Sequence, residues 1–150
     1  ERDAAERRLG VAEATLTAVL DALPAGAIFA DASGRLVRWN RANEDLWGLH
    51  GVDPAATASV EQYRDWKGWW HPDGGRLGAH DWAMARALEK REQVKGDLVE
   101  IERFDGTGRR VIINMGAPVI DRNGALTGAV VVQTDITERV RAEGIVRERE

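Results

Sequence analysis

The stretch Gly128-Ala-Val-Val-Val-Gln-Thr-Asp-Ile-Thr137 constrains this chain more than any other. Ala129 to Gln133 reads as a strand, because a short β-branched run bounded by turn residues favours the extended state. It is apolar at consecutive positions, which calls for cover on both faces. Thr134 and Asp135 break the run, and from Ile136 onward the pattern is charged and helical. A core strand that passes directly into a charged helix gives a domain a way to send a mechanical signal out of its core.

The preceding residues supply that strand's neighbours. Residues 1–23 read as a helix with a heptad seam of Ala5, Leu9, Ala12, Leu16, Val19 and Leu23. Such a seam either packs on its own domain or pairs with a second chain. Pro24 and Gly26 end the helix. Ala27–Asp31 and Leu36–Trp39 form a strand pair around the turn Asp31-Ala-Ser-Gly34. Asn40 is placed to cap a helix from Arg41 to Trp47, which ends at Gly48. Residues 49–80 have poor periodicity and carry Trp66-Lys-Gly-Trp-Trp-His-Pro-Asp-Gly-Gly75. An irregular stretch of that length in a compact domain is usually functional or mobile. Asp81 then reads as the cap of a helix from Trp82 to Lys90. Three strands follow, Val94–Phe104, Arg110–Ile120 and Leu126–Gln133, joined by turns at Asp105–Gly108 and Asn123-Gly124. Short links make them antiparallel neighbours.

The resulting fold class is α+β: a five-stranded antiparallel sheet with helices on one face, flanked by N- and C-terminal amphipathic helices. Residues 1–23 form the N-terminal amphipathic, dimerising helix, 24–135 the core, and 136–150 the start of a C-terminal signalling helix. The last three strands are apolar on both sides in places, so the terminal helices are expected to cover the face that the middle helices leave open.

Composition removes several functions. With no cysteine, disulfides, zinc-thiolate sites and cysteine nucleophiles are excluded. A net charge of −4 gives no basic surplus for nucleic acid or an anionic membrane. No apolar run approaches a membrane span, and no signal peptide is present, which together with the missing cysteine fits a cytoplasmic location. The start at Glu1 and the end in mid-pattern at Glu150 read as a piece of a longer protein.

The order of elements and motifs resembles a PAS domain over roughly residues 17–140. The resemblance rests on Asp31-x-x-Gly34, on Trp39-Asn40 with Ala42 and Gly48, on Asp105-Gly106, on Pro118 with Asp121-x-x-Gly124, and above all on Asp135-Ile136-Thr137-Glu138. It implies a sensory and dimerisation module of the kind found upstream of histidine kinases, cyclic-dinucleotide enzymes or transcription activators. It also implies that Asp135, Ile136, Thr137 and Glu138 tie an output helix to the sheet. The Trp-x-x-Trp-Trp stretch departs from flavin- and haem-binding members.

The cofactor is left unknown, with two options tested. A cysteine-adduct flavin is impossible without cysteine, although Gln133 stands where such domains place a flavin-contacting glutamine. Haem needs an axial ligand, and His80 is the candidate that the resemblance suggests. It lacks companions and sits beside a helix cap, so haem is disfavoured. His71 with Asp73, or His80 with Asp81, lacks a nucleophile motif, and no catalytic or metal site is expected. The fragment is therefore expected not to be an enzyme.

What remains is a small-molecule pocket or a filled core. Alternation puts Ala129, Val131 and Gln133 inward with Ile112 and Asn114, and Val130, Val132, Val111, Ile113 and Met115 outward. Trp66, Trp69, Trp70 and Trp82 could wall a pocket around Ile112, Asn114 and Gln133, with Arg86 as an anion contact. Alternatively the tryptophans fill the space themselves. The expected partners are a second copy through the terminal helices, a covalently linked output domain and a small-molecule ligand. The parent is expected to be of the histidine-kinase type.

Overall fold

The computed structural model describes residues 1–149, with side chains to Gly144. Glu150, assigned above to the last helix, lies outside the described residues. The chain runs α1 (Arg2–Ala22), β1 (Gly26–Asp31), β2 (Leu36–Trp39), α2 (Arg41–Trp47), β3 (Gly68–Trp70), α3 (Ala83–Lys90), β4 (Val94–Glu102), β5 (Arg109–Ile120), β6 (Leu126–Asp135) and α4 (Thr137–Arg149). Short 3-10 turns at Pro54–Ala56, Val60–Asp65 and Ala79–Asp81 carry the chain from α2 to α3.

The sheet has six antiparallel strands in the order β2-β1-β6-β5-β4-β3, one more than the five expected. The extra strand is Gly68–Trp70, which pairs with Val99–Ile101. Three residues beginning with glycine carry no period-2 signal, so pairing with β4 makes this strand rather than its own propensity. β6 lies between β1 and β5, with Val131 opposite Ile28 on one side and Gly116 on the other. The strand that opened the sequence reading is thus central, paired along both edges.

Local chemistry explains the helix ends. The Asn40 side chain accepts the Asn43 N–H at 3.0 Å, and Gly48 closes α2 in the left-handed region at φ 63. The Arg103 guanidinium donates to the Leu46 and Asp45 carbonyls at 3.2 and 2.6 Å, satisfying the last turn. Asp81 does not cap α3. It ends the preceding turn and accepts the Gly78 N–H at 2.8 Å, while Trp82 holds the cap position.

α2, α3 and the 3-10 turns pack on one face of the sheet, where the core lies. Alternation along β6 holds: Ala129, Val131 and Gln133 are buried, while Val130 and Val132 are half-buried. The opposite face departs from expectation. Leu98, Met115 and Val119 stay 37–40% exposed while Val111 is buried, so the terminal helices leave much of it open. The reason lies at the root of α1. Asn40 Nδ2 donates to the Leu20 carbonyl at 2.8 Å and to the Ala25 carbonyl beyond the helix at 3.0 Å, and the Arg38 guanidinium donates to Thr17 Oγ1, so these bonds hold the C-terminal end of α1. Leu20, off the predicted seam, is the buried residue of α1. The seam residues Leu9, Leu16 and Val19 are 61%, 42% and 52% exposed, so α1 does not pack its seam on its own domain.

Candidate functional site

Between the inner face of the sheet and α2, α3 and the 3-10 turns lies a cavity of about 40 Å³. Trp47, the last residue of α2, is its hub. Its ring meets Trp66 edge-on at 4.8 Å and lies 5.9 Å from Trp82. Its Nε1–H donates to Gln133 Oε1 at 2.7 Å. Tyr63 and Trp66 form a second wall. The Tyr63 hydroxyl donates to the Gly34 carbonyl at 2.7 Å, and burial pushes the phenol well above its ordinary pKa, keeping it neutral. Trp66 Nε1–H donates to Thr57 Oγ1 at 3.0 Å. Ile28, Leu36, Met84 and Val131 supply the apolar remainder, and the lining holds no charged side chain.

Trp82 and Asn114 complete the wall and differ from the rest. Trp82 Nε1–H and Asn114 Oδ1 are buried with no partner. The Asn43 amide on α2 is also buried and unpaired. The Trp82 ring lies against Gly68, where an added Cβ would sit 2.5 Å from its Cη2. The glycine that made the β3 segment look irregular is therefore what admits the ring.

Of the expected site residues, Trp66, Trp82, Asn114 and Gln133 come together at this cavity. Ile112 is fully buried in the core but is not part of the wall. Trp69 and Trp70 are not wall residues either. Trp69 faces the outer side of the sheet edge, with the Arg109 and Arg76 guanidinium carbons 3.8 and 5.3 Å from its ring centre. Strand alternation forces this, because it leaves Trp69 on the face of Glu100 and Val111. Arg86 is not an anion contact, since its guanidinium is held by Glu92 and Asp97, each at 2.5 Å. Trp47 and Tyr63 were missed as wall residues. Trp47 was legible: it stands four residues after Asn43 and seven after the cap Asn40, on one side of α2. Tyr63 lies where no periodicity exists to place it.

At the end of β6 the chain is latched before it enters α4. Asp135 Oδ1 accepts the Thr137 N–H at 2.9 Å and its hydroxyl at 2.5 Å. The Thr137 hydroxyl in turn accepts the Val111 N–H at 2.9 Å, and Ile136 N–H donates to the Val111 carbonyl at 2.8 Å. Thr137 is 4% exposed, and Glu138 is exposed in the first turn of α4. A groove of about 280 Å³ runs beside this junction, and Arg110, Asp135 and Gln133 are among its walls. Gln133 therefore borders both the core cavity and the groove beside the latch.

The cavity does not fit a large cofactor. Ligand pockets generally span roughly 300 Å³ or more, against about 40 Å³ here. No histidine lines the cavity. His80 is exposed, with Nδ1 at 2.7 Å from Glu89 Oε1 and Nε2 at 2.7 Å from Glu61 Oε1. The two carboxylates hold its pKa above the ordinary value, Glu89 contributing most. Neither haem nor flavin suits these residues. Among the described residues, no group of three or more His, Asp or Glu is arranged to hold a metal ion. None of the described helices is long and apolar enough to cross a membrane.

A family model described as PAS fold matches residues 20–141, and the chain belongs to that family. Solved structures agree on the fold. An RNA-binding light-oxygen-voltage receptor superposes at a TM-score of 0.62 and 21% identity, over 91% of this chain and 36% of its own, so this chain spans about a third of that receptor. The PAS domain of an HTR-like protein from Haloarcula marismortui superposes at 0.60 and 15%, over 89% and 99%. The LOV domain of a blue-light activated histidine kinase from Erythrobacter litoralis superposes at 0.53 and 21%, over 77% and 98%. No curated protein sequence matches the chain.

Proposed function

We propose that this PAS domain is the non-enzymatic sensory input and dimerisation module of a cytoplasmic signalling protein, with a histidine kinase as the linked output. One observation carries the reading. Gln133 contacts the core through Trp47, and two residues later Asp135 and Thr137 latch β6 and β5 to the first turn of α4. A displacement in the core therefore moves the start of α4 through a short chain of hydrogen bonds. The exposed seam of α1 and the half-covered outer face of the sheet supply apolar surface for a second copy.

A second reading is a module that dimerises but senses nothing. It is favoured by the packing of Trp47, Trp66 and Trp82, which leaves only about 40 Å³ free. One experiment separates the two. The chain has no cysteine, so Arg141→Cys in exposed α4 carries a single nitroxide. Electron–electron distance measurement between copies should give a defined distance that shifts when Gln133→Leu is added. A defined distance without a shift favours the silent module. No inter-copy coupling contradicts dimerisation, and with it both readings.

A further inference from the structure

We infer that Asn40 is a positioning residue that joins α1 to the output end of β6, so that a tilt of α1 reaches α4 with no change in the core cavity. α1 is built as a lever. Its 21 residues span about 30 Å at the usual helical rise. Its buried residue, Leu20, lies in the last turns. A rod held at one end turns about that end. The hold is made mainly by one side chain, Asn40, which is 1% exposed. Its Nδ2 donates to the Leu20 and Ala25 carbonyls, and its Oδ1 accepts the Ala27 and Asn43 N–H groups at 2.9 and 3.0 Å. Two donors meet two carbonyls and two lone pairs meet two N–H groups, so the amide is fully used and its orientation is fixed. The donor half holds α1 and the turn after it. The acceptor half holds β1 and the start of α2. Asn43 and Asn114, equally buried, leave amide atoms unpaired.

The path from this joint to α4 is short. Asn40 grips Ala27 twice: its side chain accepts the Ala27 N–H, and its backbone N–H donates to the Ala27 carbonyl at 3.1 Å. Ala27 stands opposite Val132 and Gly26 opposite Gln133, two residues before Asp135. Pro24 and Gly26, at the foot of α1, share the walls of one groove with Gln133 and Asp135. Gly26 leaves little slack, since an added Cβ would sit 3.1 Å from Asn43 Cα, so β1 and α2 move together. Displacing any one partner of Asn40 orphans a buried polar group, which makes the three elements shift as a unit. The inference rests on the proposed latch for its output end, and on nothing bound in the core.

The test is amide exchange on the whole chain in the wild type, Asn40→Asp and Asn40→Ser. Aspartate keeps both acceptor bonds and strips both donors. Serine still caps α2, carries no charge and cannot span to both carbonyls. In each variant, amides 19–22 of α1 and 138–143 of α4 should exchange about fivefold faster or more, the effect of losing one net hydrogen bond. The Asn43 amide should keep its protection. Adding Thr137→Val should abolish the α4 response and leave the α1 response. Should aspartate at this buried site prevent folding, the serine variant decides alone. An unchanged α1, or an α1 that loosens while α4 stays as it was, reduces Asn40 to an anchor and overturns the inference. So does an equal loss at Asn43, which would mean that α2 has frayed instead. Trp47→Phe separates this claim from the sensory one. If Trp47→Phe alters α4 and the Asn40 variants do not, the latch stands and the relay from α1 falls. If the Asn40 variants alter α4 and Trp47→Phe does not, the relay stands and the core is no longer its source.

Discussion

Replacing Thr137 by valine isolates the latch. The side chain is 4% exposed and its hydroxyl does two jobs: it accepts the Val111 N–H at 2.9 Å and donates to Asp135 Oδ1 at 2.5 Å. Valine keeps the β-branched shape and loses both bonds. The backbone N–H of residue 137 still reaches Asp135, so part of the helix cap survives. The dominant cost is the Val111 N–H left buried without a partner, about 1–3 kcal/mol. For a domain of this length each kcal/mol moves Tm by roughly 2–4 °C, so a fall of about 2–12 °C is expected. Urea unfolding gives the free energy, and amide exchange at Val111 should accelerate locally. Thr137→Ser keeps the hydroxyl and loses one methyl, for about 0.8 kcal/mol or less. The reasoning fails if Thr137→Val changes stability by under about 0.5 kcal/mol, below the range expected for an orphaned amide. It fails equally if serine proves as damaging as valine.

Gly68→Ala places a Cβ 2.5 Å from Trp82 Cη2 and should cost about 1–3 kcal/mol by overpacking. Gly75→Ala, whose Cβ meets only Trp70 at 3.7 Å, should cost far less in the same thermal melt. Trp47→Phe strips the donor from Gln133 Oε1 and should destabilise by at least the 1–3 kcal/mol or so of an orphaned buried acceptor, read by urea titration. His80 is held above its ordinary pKa by Glu89 and Glu61, so its contribution is fully present below the unfolded value near 6.5 and is lost as pH rises through the higher folded value. The stability gap between the wild type and His80→Gln should therefore be widest in mild acid and close in alkali. A gap that grows with pH refutes that sign.

Much of the fold was readable because local and tertiary signals agree. Leu36–Trp39 and Arg41–Trp47 fall where the turn, the Asn40 cap and Gly48 place them. The inward set of β6 follows from alternation alone. β3 was hidden because its residues are strand only by pairing with β4. The site was half legible for a related reason. Asn114 and Gln133 are amides amid apolar strand residues and announce themselves, whereas Trp66, Trp69 and Trp70 look alike in sequence. Only the geometry of a three-residue strand and the turn before it turns Trp66 inward and Trp69 outward. Arg86 was misplaced because its partners, Glu92 and Asp97, come from the chain just after α3 and from β4. The role of Asn40 exceeded its reading as a cap, since it also accepts the Ala27 N–H at 2.9 Å and holds the root of α1. The outer face was expected to be covered because its strands are apolar, and a second chain is an alternative cover that one chain cannot display.

The central claim is that the core speaks to α4 through Asp135 and Thr137. A double-mutant cycle read by amide exchange tests it most directly. Protection of the first turns of α4, residues 138–143, is measured in the wild type, Trp47→Phe, Thr137→Val and the double variant. Coupling through the latch predicts that Trp47→Phe changes α4 protection when Thr137 is present and has little effect once it is valine. An equal effect of Trp47→Phe in both backgrounds, or none in either, would contradict it.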